Sequence, residues 1–183
     1  MKRKTKIISK LQRGDIILID NKKFNLISIG IKWFTSSRFN HACIYVGNSR
    51  IAHFTGLYGA RYDKIGIFTK KRYKMAVMRH NGGLTSFEKP ALDAVIKYSI
   101  DESQDYDHIS IVGSAILSLL EKIGINLWKY KNPLDSEGNQ CLTGIDMWYK
   151  QIGLDLFPDI GSGNPSPQDA YECKELVRIY EEE

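Results

Sequence analysis

The chain of 183 residues is 43% hydrophobic and 26% charged, which fits one globular domain rather than a disordered or membrane-embedded chain. Its three cysteines, at positions 43, 141 and 173, form no Cys-x-x-Cys pair, which argues against a disulfide framework or a structural zinc site. The net charge of +5 comes from residues 1–13, which hold six Lys or Arg and no acid, leaving 20 of the 26 basic residues against 21 acidic ones.

Residues 1–13 are predicted to form a basic N-terminal arm in front of a single domain over residues 14–183. Such an arm can contact phosphates or anionic lipid through charge alone, although a short basic run is more often a solvated terminus. We therefore predict no specific nucleic-acid partner. The arm has no continuous apolar stretch and no small-residue cleavage site, so we expect no secretory signal and a chain that is cytoplasmic as synthesised.

The first half of the domain is typical of β-structure. Segments rich in β-branched and aromatic residues, bounded by turn residues, are predicted as strands at 16–19, 41–47, 50–54 and 73–80. A turn at Gly47-Asn48 would join the second and third of these strands into a hairpin. The segment 24–34 fits a helix or a strand, and its apolar spacing slightly favours a helix.

The second half predicts helices. Apolar residues recur at helical spacing from 92 to 100, from 108 to 123 and from Cys141 to Ile152, and Gly153 would end the last of these helices. The apolar run within 108–123 is shorter than the roughly 20 residues that a bilayer needs, so no transmembrane segment is predicted. The remaining segments are predicted as loops at 129–140 and 161–167 and as a closing helix or strand at 169–180. Together these elements predict one α+β domain.

Cys141 is the best candidate for a reactive thiol. It follows a polar loop and opens an amphipathic helix, where the partial positive charge of the helix N-terminus favours a thiolate. Its backbone N–H, free in the first turn, could stabilise an oxyanion. Cys43 lies within an apolar strand and is expected to be a core residue. Cys173 stands between acidic neighbours that disfavour a thiolate.

His41 and His53 lie on the two strands of the predicted hairpin, so their side chains are expected to be close. One imidazole could take the thiol proton while the other fixes its tautomer. Two structural histidines would be the simpler interpretation. A zinc site at His41, Cys43 and His53 is a weaker alternative, because no fourth ligand with recognisable spacing is present.

These residues resemble the NlpC-type peptidases, which are papain-like cysteine hydrolases. HACIYVGNSRIAHF (41–54) is similar to the H-V-G-I-Y-h-G…h-h-H-A hairpin of that family, and Gly14-Asp15 followed by IILI resembles the strand before it. No cysteine precedes Gly14, so the order resembles a circularly permuted branch, the YiiX-type proteins and their lecithin–retinol acyltransferase relatives. CLTGIDMWYKQIGLDLFP and NPSPQDAYECKELVRIY are similar to the C-terminal part of that branch. The resemblance runs from about Gly14 to Tyr180.

The resemblance implies a circularly permuted papain-like fold, an antiparallel sheet or half-barrel packed against helices. It also implies that Cys141 is the nucleophile, that His41 is its base and that His53 orients His41. We predict no cofactor and no metal at this site. Two departures stand out. Residues 142–145 replace the usual Ser-Glu-Leu-Val, which bears on substrate preference, and many permuted members carry an acid where His53 stands.

The expected reaction is acyl transfer to water through a thioester. Asn139, Gln140 and Tyr130 are weak candidates for a second oxyanion donor. The substrate implied by the resemblance is an amide in a cell-wall-type peptide, or else a lipid acyl ester or amide. Access to a cell wall would fit a phage-encoded protein or release by lysis. A different class of function is a binding module with a degenerate site, recruited to nucleic acid or membrane by residues 1–13.

Overall fold

The computed structural model describes residues 7–21, 37–55, 59–101, 141–160 and 165–182. The sheet within these residues has six strands, with bounds β1 Ile16–Asn21, β2 His41–Gly47, β3 Arg50–Thr55, β4 Gly59–Lys64, β5 Tyr73–His80 and β6 Leu176–Glu181. Neighbouring strands are antiparallel, and the spatial order is β4-β3-β2-β1-β5-β6. The described chain is therefore α+β, as the sequence predicted.

The β2–β3 hairpin turns where the sequence predicts a turn. Gly47, Asn48 and Ser49 all have positive φ, at 92°, 51° and 57°. Glycine and asparagine tolerate this conformation better than other residues, which explains why the chain reverses here. The register shifts between Tyr45 and Gly47, and beyond this irregularity Ile44 stands opposite Ala52.

Alternation along the strands gives the sheet two apolar faces, each with its own core. The helical face is built from strand residues that pack against helices, including Ile16, Leu18, Ala42, Ile44, Ala52 and Phe54. The opposite face carries the intervening strand residues and is covered in part by a 3₁₀ turn, Ile65–Phe68; it includes Ile17, Ile19, Cys43, Tyr45, Ile51 and Phe68. β1 is buried on both faces, which accounts for its continuous apolar sequence.

Three α-helices lie within the described residues, with bounds α1 Glu88–Asp101, α2 Cys141–Gln151 and α3 Pro167–Glu172. Thr85 and Glu88 cap α1 reciprocally, through hydrogen bonds of 3.2 and 2.7 Å between each side chain and the other's backbone N–H. The N–H of Trp148 on α2 donates to Ser99 on α1 at 2.9 Å, which joins the two helices.

Helix α2 packs closely on the sheet because it has a glycine at the contact. Gly144 faces the ring of Phe54 on β3 so closely that a Cβ atom would overlap that ring. Phe54 stacks on Trp148 of the same helix, with ring centroids 4.9 Å apart. Ile145, Trp148 and Tyr149 are fully buried, which confirms the predicted apolar stripe. Gly153 follows the helix with a φ of 85°, at the predicted end.

The Gly14-Asp15 pair anchors the start of the sheet. Asp15 is fully buried and accepts two hydrogen bonds from Arg79 at the end of β5, at 2.7 and 2.8 Å. The N–H of Gln12 donates to the same carboxylate at 2.8 Å. Tyr149 of α2 donates to the carbonyl of Gly14, so the helix and the first strand share this anchor.

Residues 7–13, the described part of the predicted basic arm, pack against the sheet. Ile7 is buried against the opposite face, with Ile8 and Leu11 packed beside it. Residues 1–6 lie outside the described residues. Three apolar side chains, which lie between the charged residues, thus hold this part of the basic segment on the sheet. The density of Lys and Arg in the sequence made this packing hard to predict.

Two further comparisons with the sequence concern the rest of the chain. The sequence did not predict β4, and it left 169–180 open between helix and strand, where the structure has α3 followed by β6. The predicted segments at 24–34, 108–123 and 129–140 all lie outside the described residues. Among the helices that the structure does describe, none has the length and apolar character needed to cross a membrane.

Replacing Gly144 with alanine tests the contact between α2 and β3. The added methyl group would force the buried Phe54 ring to move, and we expect a loss of about 1–3 kcal/mol in the free energy of unfolding, measured by urea denaturation. Gly66→Ala is the matched control, because nothing lies within 4 Å of its Cβ position. Equal unfolding midpoints for the two variants would contradict the close packing.

Candidate active site

The strand register brings His41 and His53 together on the opposite face of the sheet. Because Ile44 pairs with Ala52, His53 lies diagonally across from His41 rather than directly opposite it. The Nε2 atom of His41 is 2.8 Å from Nδ1 of His53, a hydrogen bond between the two rings. The two histidines expected to be neighbours therefore contact each other directly.

Asp63 and Arg61 on β4 extend this pair into a chain of four polar side chains. His53 stands opposite Arg61 in the β3–β4 register, and its Nε2 atom is 3.0 Å from a carboxylate oxygen of Asp63. Arg61 contacts both oxygens of Asp63, with Nε at 3.0 Å and a terminal nitrogen at 3.1 Å. The sequence analysis missed both residues because it predicted no strand at 59–64.

The carboxylate of Asp63 fixes which atom donates in each hydrogen bond along this row of side chains. An ionised Asp63 only accepts, so His53 must carry its proton on Nε2 and donate it to Asp63. When His53 is neutral, its Nδ1 then has a lone pair that accepts from the Nε2–H of His41. A neutral His41 with its proton on Nε2 has its basic lone pair on Nδ1. The arrangement thus provides a base at the end of the chain that is remote from Asp63.

Burial keeps both imidazoles neutral. Desolvation, with a smaller contribution from the charge of His53, lowers the pKa of His41 to about 3. Burial also lowers the pKa of His53, although the hydrogen bond and charge of Asp63 act in the opposite direction. Phe68 covers both rings, with centroids 5.8 and 6.1 Å from those of His41 and His53. Both imidazoles are therefore uncharged at neutral pH.

Cys141 occupies the first position of α2 and packs against the core of the helical face. The helix contacts both β2 and β3. Cys141 also lies close enough to Cys43 for its charge to raise the pKa of the Cys43 thiol. Cys43 is two residues from His41 on the same face of β2, so the N-terminus of α2 lies near the strand that carries His41.

The other two thiols have structural surroundings. Cys43 is fully buried, and burial strongly raises its pKa, so its thiol stays protonated. The Cys173 thiol donates to the carbonyl of Leu156 at 3.0 Å, and its pKa is raised chiefly by burial. Of the weak oxyanion candidates, Asn139, Gln140 and Tyr130 all lie outside the described residues.

A structural comparison with known proteins finds a shared fold. The chain is similar to the crystal structure of metalloprotein yiiX from Escherichia coli O157:H7, with a TM-score of 0.61 and 17% sequence identity over 93% of this chain and 97% of that one. No protein-family model and no curated protein sequence matches the chain. The likeness shows a YiiX-like α+β fold.

The low pKa of His41 predicts a loss of stability in acid. The unfolded chain, with a histidine pKa near 6.5, binds a proton that the folded chain excludes until about pH 3. Stability therefore falls as the pH drops below 6.5, and by pH 4.5 His41 contributes a loss on the order of 2 kcal/mol. His41→Gln should remove this part of the loss, measured by urea unfolding at pH 7 and pH 4.5.

The control for this prediction is His80→Gln, which removes a histidine on β5 that is outside the hydrogen-bonded chain. It should keep the acid sensitivity of the wild type. An equal loss of unfolding free energy in the wild type and in His41→Gln would show that the folded protein does not hold His41 in its neutral form.

Proposed function

We propose that the protein is a cysteine hydrolase of the permuted papain-like type, with Cys141 as nucleophile, His41 as base and His53 as the residue that orients His41. The hydrogen-bonded chain from His41 through His53 to Asp63 is the observation that carries this proposal. It holds a neutral imidazole with a defined basic nitrogen at the start of β2, a strand that α2 contacts from the other face of the sheet. The YiiX-like fold supports the proposal at the level of architecture.

In the proposed reaction, Nδ1 of His41 takes the thiol proton of Cys141, and the sulfur attacks a substrate carbonyl. The N-terminus of α2 favours the negative charge, and the backbone N–H of Cys141 donates to the oxyanion. When the C–N bond breaks, the amine leaves with the proton from His41. A water molecule, deprotonated by Nδ1, then attacks the thioester, the C–S bond breaks, and the acid and the thiol are released.

Burial leaves the resting base neutral but weak. With a pKa lowered to about 3, His41 is unprotonated at neutral and mildly acidic pH, yet it is a poor acceptor for the proton of a thiol with an ordinary pKa of about 8.5. The proposed transfer therefore needs the imidazolium to be stabilised as it forms, by the thiolate of Cys141 and by the Asp63 carboxylate behind His53. The same burial makes the imidazolium short-lived once formed, which favours prompt transfer of its proton to the leaving amine. The mechanism therefore uses His41 as a proton shuttle rather than as a permanent cation.

We propose an amide in a cell-wall-type peptide as the substrate. Release of an amine from stem peptides, absent in Cys141→Ala, would support this choice, whereas release of fatty acid from an acyl ester or amide would assign the protein to lipid substrates. The Cys141→Ala variant should keep its free energy of unfolding within about 1 kcal/mol of the wild type, because the side chain is only partly buried. Full activity without the thiol would contradict the proposed nucleophile.

Metal chemistry is not part of the proposal. The neighbouring yiiX is a metalloprotein, but within residues 7–21, 37–55, 59–101, 141–160 and 165–182 no group of three His, Cys, Asp or Glu side chains is arranged to hold a metal ion. Nε2 of His41 and both ring nitrogens of His53 are used in hydrogen bonds along the chain, and the Cys43 thiol is 3.7 Å from the carbonyl of Ile17. These residues do not fit the zinc alternative.

Alkylation by iodoacetamide, followed by peptide mass for each cysteine, tests the activation of Cys141. We expect Cys141 to react quickly near pH 6 and to slow at least about tenfold in His41→Gln, because the base is lost. Cys43 and Cys173 are internal controls, and His80→Gln is the matched variant. If Cys141 reacts no faster than a free thiol with a pKa of about 8.5, the catalytic proposal fails and a binding module takes its place.

A second test measures the approach of the thiol to the base. A 1,3-dihaloacetone carries two alkylating carbons joined by one carbonyl, so it can bridge a thiol and an imidazole only when the two are adjacent. We expect a covalent bridge from Cys141 to Nδ1 of His41, located by fragmentation of the linked peptides. Alkylation of Cys141 without any bridge to His41 would show that the two groups do not meet.

A further inference from the structure

We propose that Asp63 is a positioning residue that sets the tautomers of His53 and His41 and thereby leaves the lone pair on Nδ1 of His41, the nitrogen to which the proposed function assigns the thiol proton of Cys141. This inference rests on the proposed function and deepens it, since it assigns a role to a strand that the sequence did not reveal. Asp63 is remote from the reacting atoms and acts through two intervening rings.

The first step of the argument is the fixed orientation of Asp63. Arg61 and Asp63 are two residues apart on β4, so their side chains lie on the same face of the sheet. Arg61 binds both carboxylate oxygens in a fork, at 3.0 and 3.1 Å. A guanidinium only donates and a paired carboxylate only accepts, so the group presented to His53 is an acceptor.

The second step is the transmission of this polarity through the rings. The buried His53 side chain is only 4% exposed, so solvent has little access with which to satisfy its nitrogens in another way. With Nε2–H committed to Asp63, Nδ1 of His53 accepts from His41 Nε2–H. Both rings are then Nε2–H tautomers, and Nδ1 of His41 keeps the lone pair.

The third step is the consequence of removing the acceptor. The oxygen of Asp63 that His53 contacts also binds Nε of Arg61, so an asparagine that keeps its amide oxygen there would leave the tautomers unchanged. Asp63→Ala takes the acceptor away, and water, which donates as well as accepts, then meets Nε2 of His53. The proton of His53 is no longer confined to Nε2, so both rings exchange tautomers and the lone pair of His41 is divided between Nδ1 and Nε2.

The experiment combines a spectroscopic measurement with a rate. Nitrogen-15 NMR of the imidazoles assigns each tautomer, and the chain has only four histidines. We expect His41 and His53 to be Nε2–H tautomers in the wild type and mixtures of Nε2–H and Nδ1–H tautomers in Asp63→Ala. Alkylation of Cys141 by iodoacetamide at pH 6 should slow by about tenfold or more in the variant, as with other residues that orient a functional histidine.

Asp93→Ala is the matched control. Asp93 also pairs with an arginine, Arg13, and its side chain is 34% exposed against 27% for Asp63. It lies on α1, away from the two histidines, so its variant should leave both the tautomers and the alkylation rate unchanged. Arg61→Gln, which keeps the Asp63 acceptor, should retain the Nε2–H tautomers.

The outcomes separate the two proposals. An Nδ1–H tautomer at either histidine in the wild type would overturn the role of Asp63, whether or not the variants fold. Pure Nε2–H tautomers at both histidines in a folded Asp63→Ala would overturn it as well. The predicted tautomers together with a slow, unactivated Cys141 in the wild type would support the positioning role and reject the hydrolase. A fast Cys141 that does not depend on Asp63 would support the hydrolase alone.

Discussion

The alignment of β2, β3 and β4 is the constraint on which the candidate site depends. Residues two apart on a strand share a face, and each antiparallel register fixes which residues face one another across it. The two registers place His41, His53 and Asp63 in a diagonal row across three strands. A slip of one residue in either register would move a member of the row to the helical face and break the chain of hydrogen bonds.

The second constraint is the close contact of α2 with the sheet. Gly144 lets the helix backbone approach Phe54, while Trp148 and Tyr149 tie it to α1 and to the start of β1. The body of the helix packs on the helical face, and the histidines project from the other face. The proposed chemistry therefore depends on Cys141. It is the first residue of the helix, and it must reach His41 at the start of β2, a strand that lies between the two cores.

Burial links the stability of the site to its chemistry. The same desolvation that lowers the pKa of His41 keeps it neutral and makes the protein less stable in acid. A neutral imidazole has two possible tautomers, so burial alone does not define which nitrogen is basic. The carboxylate of Asp63, held by Arg61 at the partly exposed end of the row, selects one tautomer. It does so without placing a charge beside the proposed thiol.

The sequence by itself determined the local elements and the chemical candidates. Periodicity and turn residues gave β2 and β5 with their observed bounds and the start of α2 at Cys141, because these segments carry strong patterns of their own. The sequence of β4, GARYDK, has a glycine, three charged residues and no β-branched residue, so only pairing with β3 makes it a strand. Asp63 and Arg61 join the site through that pairing, and residues 7–13 pack on the sheet through Ile7 despite their charge. These features depend on contacts between segments distant in the chain, which only the tertiary structure decides.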